Sequence, residues 1–229
     1  MSEKGEVIAK VDQVNTALSK SPIIKGLVDG GLSLIPFFDQ AITSALDARA
    51  FQLFEKNTKH FVEELKQLVE YIDCEKLDNE FIESDEFVSL LTEVLSRNAR
   101  AYEDQKVRFF ARVFINSAIH GMSKVPYKEG FVRIIDELSA DHIRVLSFIY
   151  EKSLPSTEED REENRDRVLA SQISEALSVP GSRVLAYCEQ MIRFGLLQDW
   201  GIGRWDYKPG SYEITDYGRE FAAFLRQNV

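Results

Sequence analysis

The sequence predicts a mainly helical protein in two parts, a helical bundle followed by a smaller module of helices and a β-hairpin. Across the first half, apolar residues recur every three or four positions, as they do along one face of a helix. After Leu138 the grammar changes to short helices separated by turn residues, then two strand-like runs around a loop rich in glycine. Hydroxyl residues that cap helices and glycines that stop them fall at the joins of this pattern: Ser84, Ser139 and Thr215 at starts, Gly121 and Gly195 at ends.

Residues 1–122 read as an antiparallel bundle with an apolar N-terminal segment. A short polar helix over 6–20 precedes a glycine-broken apolar stretch from Ile23 to Leu46, read as two helical pieces with a turn. Leu46, Ala50, Leu53, Phe61, Leu65, Leu68 and Ile72 then trace one face of a long helix, with Asn57 the polar exception. Ser84 caps a second helix carrying Phe87, Leu90, Leu91, Val94 and Leu95, with Asp85 and Glu86 at the positive end of its dipole. Val107, Phe110, Phe114, Ala118 and Ile119 mark a third, stopped by Gly121. Pro126 and Gly130 punctuate the way to a connecting helix within 123–138, which carries Phe131, Ile134, Ile135 and Leu138.

From residue 139 to 229 the order is three helices, a hairpin and a helix. Ser139 caps a helix with Ile143, Leu146, Phe148 and Ile149, and an acidic linker expected to be exposed and mobile follows over 153–164. Val168, Ile173 and Leu177 mark the next helix. Val179-Pro180-Gly181-Ser182 turns the chain into another, with Val184, Cys188, Met191 and Ile192, which ends at Gly195. Leu196 to Trp200 and Tyr212 to Ile214 are the hairpin strands, and Thr215 caps a closing helix with Phe221, Phe224 and Leu225. Ile143, Leu146, Val184, Cys188, Met191, Leu197, Ile214 and Phe221 form the expected core.

The 229 residues suffice for one large domain or two small ones without metal or disulfide staples. With 28 Lys plus Arg against 38 Asp plus Glu, the net charge of −10 disfavours non-specific attraction to nucleic acid or anionic lipid. Cys74 and Cys188, far apart and without ligand spacing, read as reduced thiols. The start has no basic and apolar leader, and no run is long enough to span a bilayer, so a cytoplasmic location is expected.

The string Met191-Ile-Arg-Phe-Gly-Leu-Leu, followed by Tyr212-Glu-Ile-Thr-Asp-Tyr-Gly-Arg-Glu-Phe, resembles the recognition-helix end, wing and closing helix of winged-helix proteins over roughly 138–227. This implies a fold class of mainly α with an N-terminal helical bundle and a C-terminal winged helix bearing a small β-hairpin. In layout the whole chain resembles an uncharacterised bacterial family linked to phage defence, the abortive infection alpha type. The residues carrying that likeness are Ser84-Asp-Glu-Phe, Val107-Arg-Phe-Phe-Ala-Arg-Val-Phe-Ile-Asn-Ser-Ala, Phe131-Val-Arg-Ile-Ile-Asp-Glu-Leu-Ser, Ile192-Arg-Phe-Gly-Leu-Leu and Ile214-Thr-Asp-Tyr-Gly. It implies a defence context and no defined reaction.

Two binding readings stay open. A DNA-binding transcription regulator, with the helical bundle as its dimerisation or sensing domain, would present Ser182, Arg183, Tyr187, Gln190 and Arg193 from its recognition helix, with Arg204 and Lys208 from the wing. Against it, residues from Leu138 onward hold 11 basic and 15 acidic residues, a net of −4, which is poor for neutralising phosphates. The favoured reading is a non-enzymatic protein-contact module, with a protein partner or a second copy, for which Trp200, Trp205 and Tyr207 offer aromatic contact surface or else close the core beneath the hairpin. Gly26-Leu-Val-Asp-Gly30 has GxxxG spacing, yet Lys25, Asp29 and Asp39 favour a buried hairpin over a membrane-active segment. His60 and Glu64 have the i, i+4 spacing of a metal pair without a third ligand, and His120 and His142 sit at helix ends. No catalytic motif and no cofactor-binding motif is present, so no catalytic, metal or cofactor site is expected.

Overall fold

A computed structural model describes residues 48–69, 72, 74–154, 167–200 and 210–226. The 6–20 helix, the apolar stretch to Leu46, the GxxxG spacing, most of the acidic linker and the wing loop lie outside the described residues. The chain divides into two compact units, residues 1–137 with 224–229, and residues 138–223.

The described part of the first unit contains α1 (Ala48–Val69), α2 (Asn79–Ile82), α3 (Asp85–Asn98), α4 (Asp104–Ser117) and α5 (Lys128–Glu137). Single 3-10 turns at Cys74–Lys76 and Met122–Lys124 join them. The apolar faces of α1, α3 and α5 meet around α4. Their centre is phenylalanine: Phe61 lies 6.1 Å from Phe114, which lies 4.8 Å from Phe87, itself edge-on to Phe81 at 5.5 Å. Ser84 accepts from the Phe87 N–H at 3.2 Å and so starts α3 as its residue type dictates. Helix α5, read from sequence as a connector over 123–138, falls within the first unit and buries Phe131, Val132, Ile134 and Ile135.

Asn57 explains itself here. Its amide donates to the carbonyls of Asn98 (2.9 Å), the last residue of α3, and Ala101 (2.6 Å), just beyond it, and Asn98 Nδ2 returns a bond to Asn57 O at 3.0 Å. Helix α4 ends at Ser117 rather than running to Gly121. The chain leaves the helix there because residues 118–120 pair with 76–78: Asp78 N–H donates to Ala118 O, and His120 N–H to Lys76 O, both at 2.8 Å. Gly121, at φ +89°, then opens the following 3-10 turn.

The second unit contains α6 (Ala140–Ser153), β1 (Arg167–Leu169), α7 (Ala170–Leu177), α8 (Gly181–Arg193), β2 (Leu197–Asp199), β3 (Ser211–Ile214) and the start of α9 (Asp216–Arg226). The last turn of α9, from Phe224, belongs to the first unit, where Phe224 packs edge-on to Phe131 at 5.0 Å. The strands make an antiparallel sheet in the order β1-β3-β2. The β2–β3 hairpin matches the sequence expectation, and β1 is an addition to it. Val168, expected to begin a helix, is paired with Tyr212 in the sheet, and both are buried. A three-residue strand is too short to show a period of two, while β-branched Val168 suits a pleated, covered site. Ser153, expected to open the linker, instead ends α6, donating to Tyr150 O at 2.8 Å and accepting from Arg219 at 2.7 Å. All eight expected core residues are buried.

Two turns fix how α8 meets the sheet. Gly195, at φ +73°, donates to Ile192 O (2.9 Å) and Leu196 N–H to Met191 O (3.0 Å), the paired bonds that end a helix through a left-handed residue. The freed Leu196 carbonyl accepts from Thr215 N–H at 3.1 Å, and Thr215 Oγ accepts from Gly218 N–H at 2.9 Å to cap α9. A Cβ on Gly218 would collide with that same Leu196 carbonyl oxygen, so only glycine lets α9 sit this close.

Candidate functional site

Helix α8 has a buried face formed by Val184, Cys188 and Met191, and an outer face of Ser182, Arg183, Leu185, Ala186, Glu189 and Arg193. Leu185 is 39% exposed in the middle of that face. Arg183 and Arg193 stand near its ends, with Glu189 between them in sequence. Beside the helix, Ala186, Glu189, Gln190, Arg193 and Phe194 line an open cleft of about 530 Å³.

Tyr187 and Gln190, read as groove contacts alongside Ser182, Arg183 and Arg193, are half-buried and also meet α6. There His142, only 7% exposed, is held between helices. Ser139 N–H donates to His142 Nδ1 at 3.2 Å, and Ser139 Oγ lies 2.7 Å from the same nitrogen. A ring nitrogen that accepts from a backbone N–H carries no proton, so the neutral ring holds its proton on Nε2. Nε2 lies 3.0 Å from Gln190 Oε1, which therefore accepts, and the Tyr187 ring lies 4.2 Å from the imidazole, centroid to centroid. The i, i+3 spacing of Ser139 and His142 shows the cap in sequence, but nothing there signals the reach of 48 residues to Gln190.

Trp200 follows β2, half-buried, with the Arg167 guanidinium stacked 3.1 Å from its ring centroid. Arg204, Trp205, Tyr207 and Lys208 lie outside the described residues, so the wing contribution to either binding reading stays as the sequence left it. The module's charge also divides unevenly. Residues 153–164 hold five acids and one arginine, which equals the whole −4 of the chain from Leu138 onward. The rest of the module is balanced.

The remaining sequence candidates have structural partners. Glu64 accepts from Arg108 Nε at 2.9 Å and lies 3.1 Å from His60 Nε2. Among the described residues, no three His, Cys, Asp or Glu gather as a metal would require. His120 Nδ1 lies 3.7 Å from Asp78 Oδ2, which accepts from Ser123 Oγ at 2.6 Å. The hydroxyl donates to the carboxylate rather than to the imidazole, so this trio lacks the serine-to-histidine bond of an activated nucleophile. The Ser123 hydroxyl and the Phe81 N–H hold the Asp78 carboxyl below its usual range, against the opposing effect of burial. Burial alone pushes the Cys188 thiol up to about 12, so it stays protonated and inert at neutral pH. Among the described residues, no helix is long and apolar enough to cross a membrane. No protein-family model matches the chain, and no match to it was found among curated proteins or solved structures.

Proposed function

We propose that the second unit is a winged helix that works by protein contact, with the outer face of α8 as its contact surface and no catalytic step. The element order of three helices with β1 inserted, then a hairpin and a closing helix, supports the fold reading, as does the sheet order β1-β3-β2. The outer face of α8 carries the functional reading. An exposed Leu185 sits there beside Ala186 and Glu189, while Tyr187 and Gln190 are engaged by His142. An apolar centre with charges around it suits a protein partner, because leucine gains little against a phosphate backbone and Glu189 repels one. A place in bacterial phage defence rests on the motif likeness from Ser84 to Gly218.

Duplex DNA is the second reading, favoured by the exposure of Ser182 and Arg183 at the start of α8 and by the balanced charge outside residues 153–164. Capture from a host lysate with the full chain, read by mass spectrometry, separates the two. Proteins retained by wild type and lost with Leu185→Asp support protein contact. The same proteins retained equally by Leu185→Asp, or recovered only while the lysate DNA is intact, would contradict it.

A further inference from the structure

We infer that the outer face of α8 pairs with the same face of a second copy of this chain, antiparallel about a twofold axis at Ala186; the inference rests on α8 being the contact surface and names its partner. A twofold interface is self-complementary: where one residue meets another, the second must also meet the first. Along α8, Arg183 and Glu189 stand three residues before and three residues after Ala186, with opposite charges. Two such helices laid antiparallel at Ala186 bring Arg183 of each level with Glu189 of the other, so one residue pair makes two ion pairs. Ser182 and Gln190, four residues to either side, match in the same way. Gln190 Oε1 accepts from His142 Nε2 at 3.0 Å, which leaves its amide N–H groups to donate to the Ser182 hydroxyl of the second copy.

The face is open to such a partner. Ser182, Arg183, Leu185, Ala186 and Glu189 are all exposed. Neither Arg183 nor Glu189 has an ion-pair partner among the described residues, whereas Arg97, Arg108 and Arg144 each do. Ala186 places only a methyl group at the crossing, so the helix axes can approach to about 8 Å, within reach of arginine and glutamate side chains. Leu185 lies on one flank of Ala186. A twofold between antiparallel helices brings like flanks to the same side, so Leu185 of each copy covers the crossing and leaves water there. A contact made by one short helix lies at the low end of interface sizes, about 1,000 Å² or less, which sets a weak, concentration-dependent dimer.

Sedimentation velocity of the full chain from ~10 to ~500 µM tests this. Wild type is expected to pass from monomer to dimer across that range. Arg183→Glu or Glu189→Arg alone sets like charges against each other at both pairs and should weaken the dimer about tenfold. The two variants mixed in equal amounts should dimerise as well as wild type, because each supplies the charge the other needs. Leu185→Asp should stay monomeric. All three side chains are exposed, and circular dichroism matching wild type shows that each variant is folded. Wild type monomeric throughout, any of the three variants dimerising as wild type does, or a mixture no better than its components would each overturn the inference. Its failure is distinct from failure of protein contact by α8: a monomeric wild type whose lysate partners are lost with Leu185→Asp keeps that contact and removes only the second copy.

Discussion

In the first unit, Asp78 and Ser84 cap helix starts locally, but several helix C-terminal ends are closed by side chains from distant parts of the chain. Asn57 serves the end of α3, Lys106 Nζ donates to Asp136 O of α5 at 2.7 Å, and Asn116 and Arg112 donate to the last carbonyls of α9. In the second unit the ends are closed nearby: Gly195 by its own turn, Thr215 over Gly218, Ser139 with His142. Both strategies satisfy backbone groups that a helix cannot satisfy itself. They differ in what a mutation can reach. A distant cap ties two helices together, so its loss loosens packing across the bundle, whereas a local cap decides where one element starts or stops.

Met191→Asp should have the largest effect. Met191 is fully buried, and an unpaired carboxylate there costs about 2–5 kcal/mol. Both tryptophans lie in the second unit, so their fluorescence reports its unfolding, and melting of this variant at the wild-type temperature would break the core assignment. Gly218→Ala follows at ~3 kcal/mol, because its Cβ meets a backbone oxygen that is already held by Thr215.

Asn57→Leu keeps volume but takes the amide donor from the Ala101 carbonyl and one of two donors from the Asn98 carbonyl, with an expected loss of ~1–3 kcal/mol. Its melting followed by circular dichroism should fall while the tryptophan signal keeps its wild-type midpoint. Equal shifts in both signals would show that the two kinds of closure are not separable. The smallest effects come with pH, and they separate the units too. Asp78, lowered in the folded first unit, contributes stability above its ordinary 3.8 that is lost as pH falls through the folded value. Cys188 is raised, so between 9.0 and about 12 the folded second unit keeps a proton that the unfolded chain releases, and stability declines as pH rises through that window. In a Cys74→Ser background, iodoacetamide at pH 8 should leave native Cys188 unmodified; rapid alkylation would contradict its burial.

The same contrast explains how much was legible in the sequence. Local closures are written in adjacent residues, so Ser84, Gly195 and Thr215 announced their helix boundaries, and the 3.6-residue period identified Val184, Cys188 and Met191 as core. Distant ones left only anomalies. Asn57 interrupts an apolar stripe, and Lys106 precedes Val107 and Phe110 on a buried face, yet neither shows whom it meets. The outer face of α8 was half legible. Ser182, Arg183 and Arg193 are exposed there, while Tyr187 and Gln190 are half-buried and also meet a histidine 45 and 48 residues away, a contact that no sequence pattern announces.

Fluorescence anisotropy with mixed duplexes, including sequence upstream of the chain's own gene, tests protein contact against DNA reading most directly. At about 150 mM salt the account predicts no sub-micromolar binding. It also predicts a log-log salt slope no steeper than about −3.6 even if Arg204 and Lys208 join Arg183 and Arg193, at about −0.9 per phosphate. Sub-micromolar binding abolished by Arg183→Ala would contradict it and make α8 a DNA-reading helix.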